Sequence, residues 1–520
     1  MKIGFANIYA YRPHGHQAKF LSLLAERRGH RTVSLDCLGA PSHCYVREYK
    51  GKGRSECVKC SAGGLHSFGF DTSESIRKYW DSSSEGSADE MVTSSAYTLT
   101  RIESFQQRSS DEVLSVIGKL SGDAFRFYQA TKSWIESQSL DAVVLFNGRM
   151  DYTRAVMEAC ADMGITCLTH ERPLFGHGLI LNKNSNCSSL QNIHRINKIY
   201  RDRPLTEEQV RIAAALGAQR LIGGNPLEWK KYNENPVAAD VWPIANSDKK
   251  ILVCPSSKNE LLGHPDWETP WKDNTDALDH AVEHGVFEYR DLLVRFHPSW
   301  SVPFGVVTAE KCQEHYRSWC EARGVSFIPS ESKVNTKDLI RQADVIVLNG
   351  SNTVLEAGLL GKPVLCFGSS PYTYSGAAID ILSYNDIQQL GYKEIVAADP
   401  REIIAKTLRY YYVKAAREPL YTDFVRSRTV TECEFYEGAD AGIMESLLRG
   451  DGEVEDDSSF ADGSEHEEPV IESFLSGDMG QLEKFASMQW NTKAKEGLKI
   501  TRHGVFRLID GVRRLTPKGV

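Results

Sequence analysis

The chain has 520 residues, room for two to four domains at roughly 100–200 residues each, and its 41% hydrophobic and 25% charged content is ordinary for a soluble globular protein. A net charge of -8 argues against a general nucleic-acid binder while leaving local basic pockets open. No run reaches the ~18 apolar residues of a membrane span, and "MKIGFANIYAYRPHGH" lacks the long apolar segment and small-residue cleavage site of a signal peptide, so a cytoplasmic setting with mostly reduced or metal-bound cysteines is expected.

"KIGFANI" predicts a buried strand over residues 2 to 8. "HQAKFLSLLAERRGH" has helical spacing, with Phe20, Leu23, Leu24 and Arg27 near one face and Gly29 at its end. "RTVSLDC" is a second strand, so the chain opens on a βαβ unit and a parallel sheet is expected. Residues 38 to 70 read as a loop and 71 to 110 as Ser-rich surface helices. "DEVLSVIGKLSGDAFRFYQATKSWIESQS" is a long helix. "DAVVLFNGR" is a strand, "DYTRAVMEACADMG" a helix ending at Gly164, and "ITCLTHERP" the next strand.

Residues 223 to 249 hold three prolines and little periodicity, and read as a linker. A second alternation follows: "KILVCPSS", "RDLLVRFHP", "GVSFIP", "DVIVLNGS" and "KPVLCFG" as strands, with "NTKDLIRQA" and "TVLEAGLLG" as helices between the later ones. Two α/β halves are expected: an N-terminal domain over 1–222 and a C-terminal domain over 250–400, then helices over 401–450 that return to the first domain. Residues 451 to 469 carry nine acidic residues and no Lys or Arg, the composition of a disordered segment. The tail, 470–520, ends basic and amphipathic. It is expected to pack on the body or to lie on an anionic membrane surface.

In open α/β sheets, ligands bind beyond the carboxyl ends of the strands. Arg295 and His297 stand at one such end; Asn349, Gly350, Ser351, Asn352 and Thr353 stand at another. Gly350 allows close backbone approach, and Ser351 or Asn352 suits an N-cap whose neighbouring N–H groups attract phosphate. Glu356, one turn further, suits ribose hydroxyls. Each feature alone also has a plain reading: an N-cap, a surface charge, a His-Pro turn.

"RFHPSW", "DLIRQADVIVLNGSNTVLEAGLLGKPVLCFG" and "PYTYSG" together resemble the capsule polysaccharide biosynthesis family, GT-B glycosyltransferases many of which are similar to Kdo transferases. The resemblance covers roughly residues 250 to 380. It rests on His297 and Pro298, on Ser351 with Glu356, on the run Gly361 to Val364, and on Tyr372 or Tyr374. It implies two Rossmann-like domains facing a cleft. His297 would stand on the donor phosphate, Ser351 on phosphate or base, and Glu356 near the ribose of a nucleotide sugar, CMP-linked in the relatives concerned. "FNGRMDYTRAVMEACADMGITCLTHERP" resembles a surface-polysaccharide subgroup with Asn-Gly-Arg at one strand end and Glu-Arg at the next, here Asn147, Gly148, Arg149, Glu171 and Arg172, which would place a carboxylate and two guanidiniums on neighbouring strand ends facing the interdomain cleft, with Tyr372 also expected at the cleft.

An inverting transferase needs a base for the acceptor hydroxyl. Glu171, Asp151, His14 and His16 qualify, and the sequence does not choose among them. No Asp-x-Asp-type pair stands at a strand end, so transfer without a metal or cofactor is expected, with a glycan or glycolipid as acceptor and no nucleic-acid partner. A sugar-nucleotide epimerase or a non-catalytic binder of the same fold is the alternative. Cys37, Cys44, Cys57 and Cys60 fall in one loop segment, 37–66, with His43 and His66 nearby. Structural zinc, an iron–sulfur cluster or free thiols all fit that spacing; the other eight cysteines read as core.

Overall fold

The computed structural model describes residues 1–10, 13–223, 227, 236–245, 247–303, 305–450, 459–488 and 495–515. The first sheet holds β1 (Lys2–Ala6), β2 (Arg31–Asp36), β3 (Thr72–Ser75), β4 (Ala142–Phe146), β5 (Thr166–Glu171) and β6 (Ile180–Lys183) in the order β3-β2-β1-β4-β5-β6. All neighbours are parallel except β5 with β6. The central strand β4, "AVVLF", is buried at every position, as a strand covered on both faces must be.

The second sheet holds β7 (Ile251–Cys254), β8 (Leu292–Arg295), β9 (Ser326–Ile328), β10 (Val345–Leu348), β11 (Val364–Phe367) and β12 (Ile379–Ile381). It is wholly parallel, in the order β12-β11-β10-β7-β8-β9. Renumbered from its own first strand, this is the 3-2-1-4-5-6 order of the first sheet, the dinucleotide-binding arrangement. The expected α/β fold of two Rossmann-like units, the GT-B arrangement, is therefore present.

Helix packing on the first sheet is close. A Cβ on Gly4 would stand 2.4 Å from Trp134 and 2.7 Å from Leu140. Only glycine lets the helix Asp111–Gln138 lay its indole on β1. The segment 71–110 is less superficial than its serines suggest. It supplies β3, and its helix Asp89–Thr100 buries Val92 and Ala96 completely. The 38–70 loop also contains helices, Tyr45–Lys50 and Ser55–Ala62.

The domain boundary lies elsewhere than the linker suggests. The helices Gln191–Tyr200 and Glu207–Ile222 and the turn between them put Ile193, Leu205, Ala213 and Leu221 into the same core as Leu252 and Leu348 of the second sheet and Leu359 of the helix Val354–Leu359. The helix Pro400–Tyr412 joins that core too, rather than the first domain. The return comes after its π-helical continuation Val413–Arg417. Tyr421, Val425, Met444 and Leu447 then pack with Ile3 and Phe5. Residues expected as linker fall partly outside the described ones, and so does 451–458 of the acidic segment. Its remainder is not disordered. Glu467 is fully buried and opens the helix Glu468–Ser476, and its carboxylate takes the Leu205 N–H at 3.0 Å and Arg409 Nε and NH2 at 2.9 and 2.7 Å.

The tail packs on both bodies. Val470, Ile471 and Leu482 enter the second core. Further on, β15 (Gly497–Leu498) pairs with β14 (Glu432–Tyr436), which pairs with β13 (Val425–Thr429). The last helix, Gly504–Leu515, leaves Val505, Leu508 and Ile509 exposed. Among the described residues, no helix is long and apolar enough to cross a membrane.

Candidate active-site cleft

On the N-terminal side, β4 ends in a left-handed Asn-Gly turn, Asn147 at φ 70° and Gly148 at φ 76°. A Cβ on Gly148 would stand 2.9 Å from Thr169. The turn throws the Asn147 side chain sideways. Its Nδ2 donates to Glu171 Oε2 at 3.0 Å and to Cys187 Sγ at 3.0 Å, and its Oδ1 accepts the Arg149 N–H at 3.0 Å. Glu171, the last residue of β5, takes its second hydrogen bond, 2.9 Å, from the Arg172 N–H. Its side chain keeps 24% exposure. Burial raises its carboxyl above the usual carboxylate range, against the opposing pull of those two hydrogen bonds and of Arg149 and Arg172.

His14 stands beside it, Nε2 3.8 Å from Glu171 Oε1. Its ring stacks on Phe146 at 3.8 Å, and burial depresses its pKa to about 3, so it is neutral near pH 7. Nδ1 shares a 3.0 Å hydrogen bond with Gln17 Oε1; that places the proton on Nδ1 and turns the Nε2 lone pair toward the carboxyl. His170, one residue before Glu171, is buried with neither ring nitrogen hydrogen-bonded, and burial takes it to about 3 as well.

On the C-terminal side, Asn349 ties the ends of β10 and β7: Oδ1 accepts the Ser256 N–H at 2.7 Å and Nδ2 donates to Ser256 O at 3.0 Å. Gly350 follows at φ 105°, and a Cβ there would lie 3.3 Å from the Trp267 ring. Its N–H donates to the Tyr372 hydroxyl at 3.1 Å. Tyr372, expected in the cleft, is thus buried behind this turn and braces it. Ser351 Oγ lies 2.9 Å from Thr353 Oγ1 and accepts the Thr353 N–H, while Asn352 is exposed. Glu356 pairs Oε1 with Arg220 at 2.8 Å, and its Oε2 has no hydrogen-bond partner.

His297 accepts the Ser299 N–H on Nδ1 at 3.1 Å, which puts its proton on Nε2. Burial, then Arg295, holds it down to about 4. Arg295 is not a phosphate ligand by placement. It is buried, and NH1 and NH2 are taken by the carbonyls of Phe296, Pro329 and Ser332 at 2.7 to 3.1 Å. It braces the turn that carries His297.

The two sides meet through specific contacts. Trp267 Nε1 donates to Ser188 O at 2.7 Å, next to the Cys187 that Asn147 touches. Arg149, expected to line the cleft, bridges Ser94 Oγ at 2.8 Å and Glu260 O at 3.3 Å. Sequence reasoning missed Lys258. It is 8% exposed, its Nζ is without a hydrogen-bond partner, and it lies 5.5 Å from the Trp267 ring, beside Gly368 at the end of β11. Burial lowers its pKa. The available signal was its place, four residues past β7 in "KILVCPSSK".

Two of the proposed bases stand elsewhere. Asp151 is completely buried, its carboxylate taking the Tyr45 and Tyr152 N–H groups at 2.8 and 2.9 Å, and burial raises it to about 7. It anchors the cysteine segment to the helix Asp151–Asp162 instead of facing the cleft. His16 lies within the first helix, edge-on to Phe68. Arg172 donates to the carbonyls of Pro173 and Leu227. Cys37, Cys44, Cys57 and Cys60 line one cavity, and burial pushes the first two thiols up to about 12. Among the described residues, no three His, Cys, Asp or Glu side chains stand close enough to share one metal ion.

No family model matches the chain, and no curated protein does. Among solved structures it is similar to the beta Kdo 2,4 transferase of Thermosulfurimonas dismutans KpsC, at 14% identity and TM-score 0.33 over 59% of this chain and 87% of that one. It is also similar to UDP-GlcNAc 2-epimerase from Neisseria meningitidis bound to UDP-GlcNAc, at 13% identity and TM-score 0.26 over 78% and 94%. Acinetobacter baumannii MurG follows at 11% identity and TM-score 0.26 over 79% and 95%. Likeness at this level assigns no role to any residue.

Proposed function

We propose that the protein is an inverting, metal-independent glycosyltransferase that moves a sugar from a nucleotide-activated donor to a surface or capsular polysaccharide acceptor. The observation that carries this is Glu171: a carboxyl with raised pKa, held by Asn147 and the Arg172 N–H, a quarter exposed at a strand end. A base poised upward toward neutrality suits proton removal from a sugar hydroxyl. The acceptor oxygen attacks the anomeric carbon as Glu171 takes its proton, and the bond from that carbon to the phosphate oxygen breaks. The charge left on the nucleotide phosphate falls to the Lys258 ammonium and the His297 Nε2–H. Ser351 Oγ adds a hydrogen bond to phosphate or base, and the unpartnered Glu356 Oε2 takes a ribose hydroxyl. Placement in the cytoplasm, at the inner face of the membrane, fits an exposed apolar edge on the last helix.

The test is a panel of CMP-, UDP- and GDP-sugars incubated with and without glycan acceptors, with CMP-sugars first. Acceptor-dependent release of nucleotide with a new glycosidic product supports the transferase. Isomerisation of a donor without acceptor supports the epimerase reading instead, and no binding of any nucleotide removes both.

A further inference from the structure

We propose that Glu103, on the N-terminal domain, is a positioning residue of the donor site: its carboxylate reaches across to the second domain and holds the segment that carries Lys258, so that the ammonium meets the donor phosphate only while the two domains are joined there. The inference rests on the reading of Lys258 as a phosphate ligand given above. Glu103 is placed by its neighbours in the chain. Arg101, at φ 54°, ends the helix Asp89–Thr100 in a left-handed turn, and Ile102 then enters the first core. The Glu103 N–H donates to Gln107 Oε1 at 2.9 Å, which fixes its backbone to the first domain. The residue is 2% exposed, and both carboxylate oxygens are taken by the segment after β7. Oε2 accepts the Lys258 N–H at 3.0 Å, and Oε1 accepts from Asn259 Nδ2 at 3.2 Å. Arg101 NH1 adds a 3.4 Å bond to Asn259 Oδ1, and Leu262, one turn on, packs into the first core.

That segment is where the parts of the donor site meet. Ser256 is bonded to Asn349 at the end of β10. Ser257 Oγ accepts from Trp300 Nε1 at 2.7 Å, and the Trp300 N–H donates to the His297 carbonyl at 3.0 Å. Lys258 follows, its backbone held by Glu103 and its Nζ without a hydrogen bond. A buried carboxylate near a buried ammonium would ordinarily pair with it and leave nothing for a ligand. Glu103 instead spends both oxygens on uncharged N–H donors, so its negative charge favours the charged amine without occupying it. Burial opposes both charges, raising the Glu103 carboxyl and lowering the Lys258 amine. An arriving phosphate supplies the partner that the amine lacks. Loss of Glu103 removes the hold on the backbone and the supporting charge together.

The experiment is a double-mutant cycle on the full chain, Glu103→Ala with Lys258→Met, read by affinity for CMP, UDP and GDP and by hydrogen exchange at the Lys258 amide. Glu103→Ala should weaken binding of the nucleotide that wild type takes by about tenfold. In the Lys258→Met background it should add no more than about twofold. With no nucleotide present, its Lys258 amide should exchange at least about tenfold faster, while the amides of the helix Asp111–Gln138 keep their wild-type rates. An equal loss of affinity in both backgrounds would overturn the proposal, since Glu103 would then act on the fold at large. Unchanged exchange at Lys258 would overturn it whatever the affinities. Wild type that binds none of the three nucleotides, or Lys258→Met with wild-type affinity, would sink the donor reading and the positioning role with it; faster exchange in Glu103→Ala would then keep only the hold on the segment. Glu103→Asp, which keeps the charge one methylene short of both donors, replaces the alanine in both arms if that variant does not fold.

Discussion

Asn147 Nδ2 donates to Glu171 Oε2 at 3.0 Å, and this bond holds the carboxyl proposed as the base, with His14 beside it. The bond favours the ionised carboxyl, so its removal raises the Glu171 pKa further. Asn147→Ala should shift the acid limb of the pH–rate profile to higher pH by about one unit, the worth of one such hydrogen bond. An unmoved limb in a less active variant would mean that Asn147 serves only the turn.

Lys258 gives two readouts of opposite sign. Its buried, unpartnered ammonium costs stability in the empty protein, and an arriving phosphate relieves that cost. Lys258→Met should therefore raise Tm in the absence of ligand and weaken nucleotide binding about 10- to 100-fold. A variant with lower Tm and unchanged affinity would place the amine in the core alone.

The acid side of the stability curve follows from the buried imidazoles. His14 and His170 have folded pKa values of about 3 and His297 about 4, against an ordinary 6.5. Their contribution is present above pH 6.5 and is lost as pH falls toward those values, at about 1.4 kcal/mol per pH unit for each group. His170→Leu should remove one such share and flatten the fall in denaturation free energy between pH 6.5 and 4. A slope equal to wild type would contradict the burial of a neutral ring there.

Glu467 tests the acidic segment. Its bidentate pair with Arg409 is fully buried on the carboxylate side. Glu467→Gln leaves Arg409 facing an uncharged partner and should cost about 3–5 kcal/mol in urea denaturation. A change below 0.5 kcal/mol would return the segment to solvent.

The alternation of strands and helices was legible because buried parallel strands are continuous apolar runs and their covering helices are amphipathic. The domain boundary was not. The helix Glu207–Ile222 is rich in Ala and Gly and fits either core by pattern alone; only its contacts with the second sheet decide. The same limit applies at the site. Strand ends flagged Glu171, Asn147, His297 and the Gly350 turn. Whether a polar side chain faces a ligand or its own backbone is a tertiary fact. Arg295 spends its guanidinium on three carbonyls and Asp151 its carboxylate on two amides, whereas Lys258 Nζ stands without a hydrogen bond though its place past β7 is all that marks it in the sequence.

The most direct test is a single-turnover transfer assay of Glu171→Gln beside wild type, with donor affinity measured on the same preparations. The account predicts donor binding within about twofold of wild type, with transfer slowed at least about 100-fold for loss of the base. Transfer at the wild-type rate by a folded Glu171→Gln protein would contradict it.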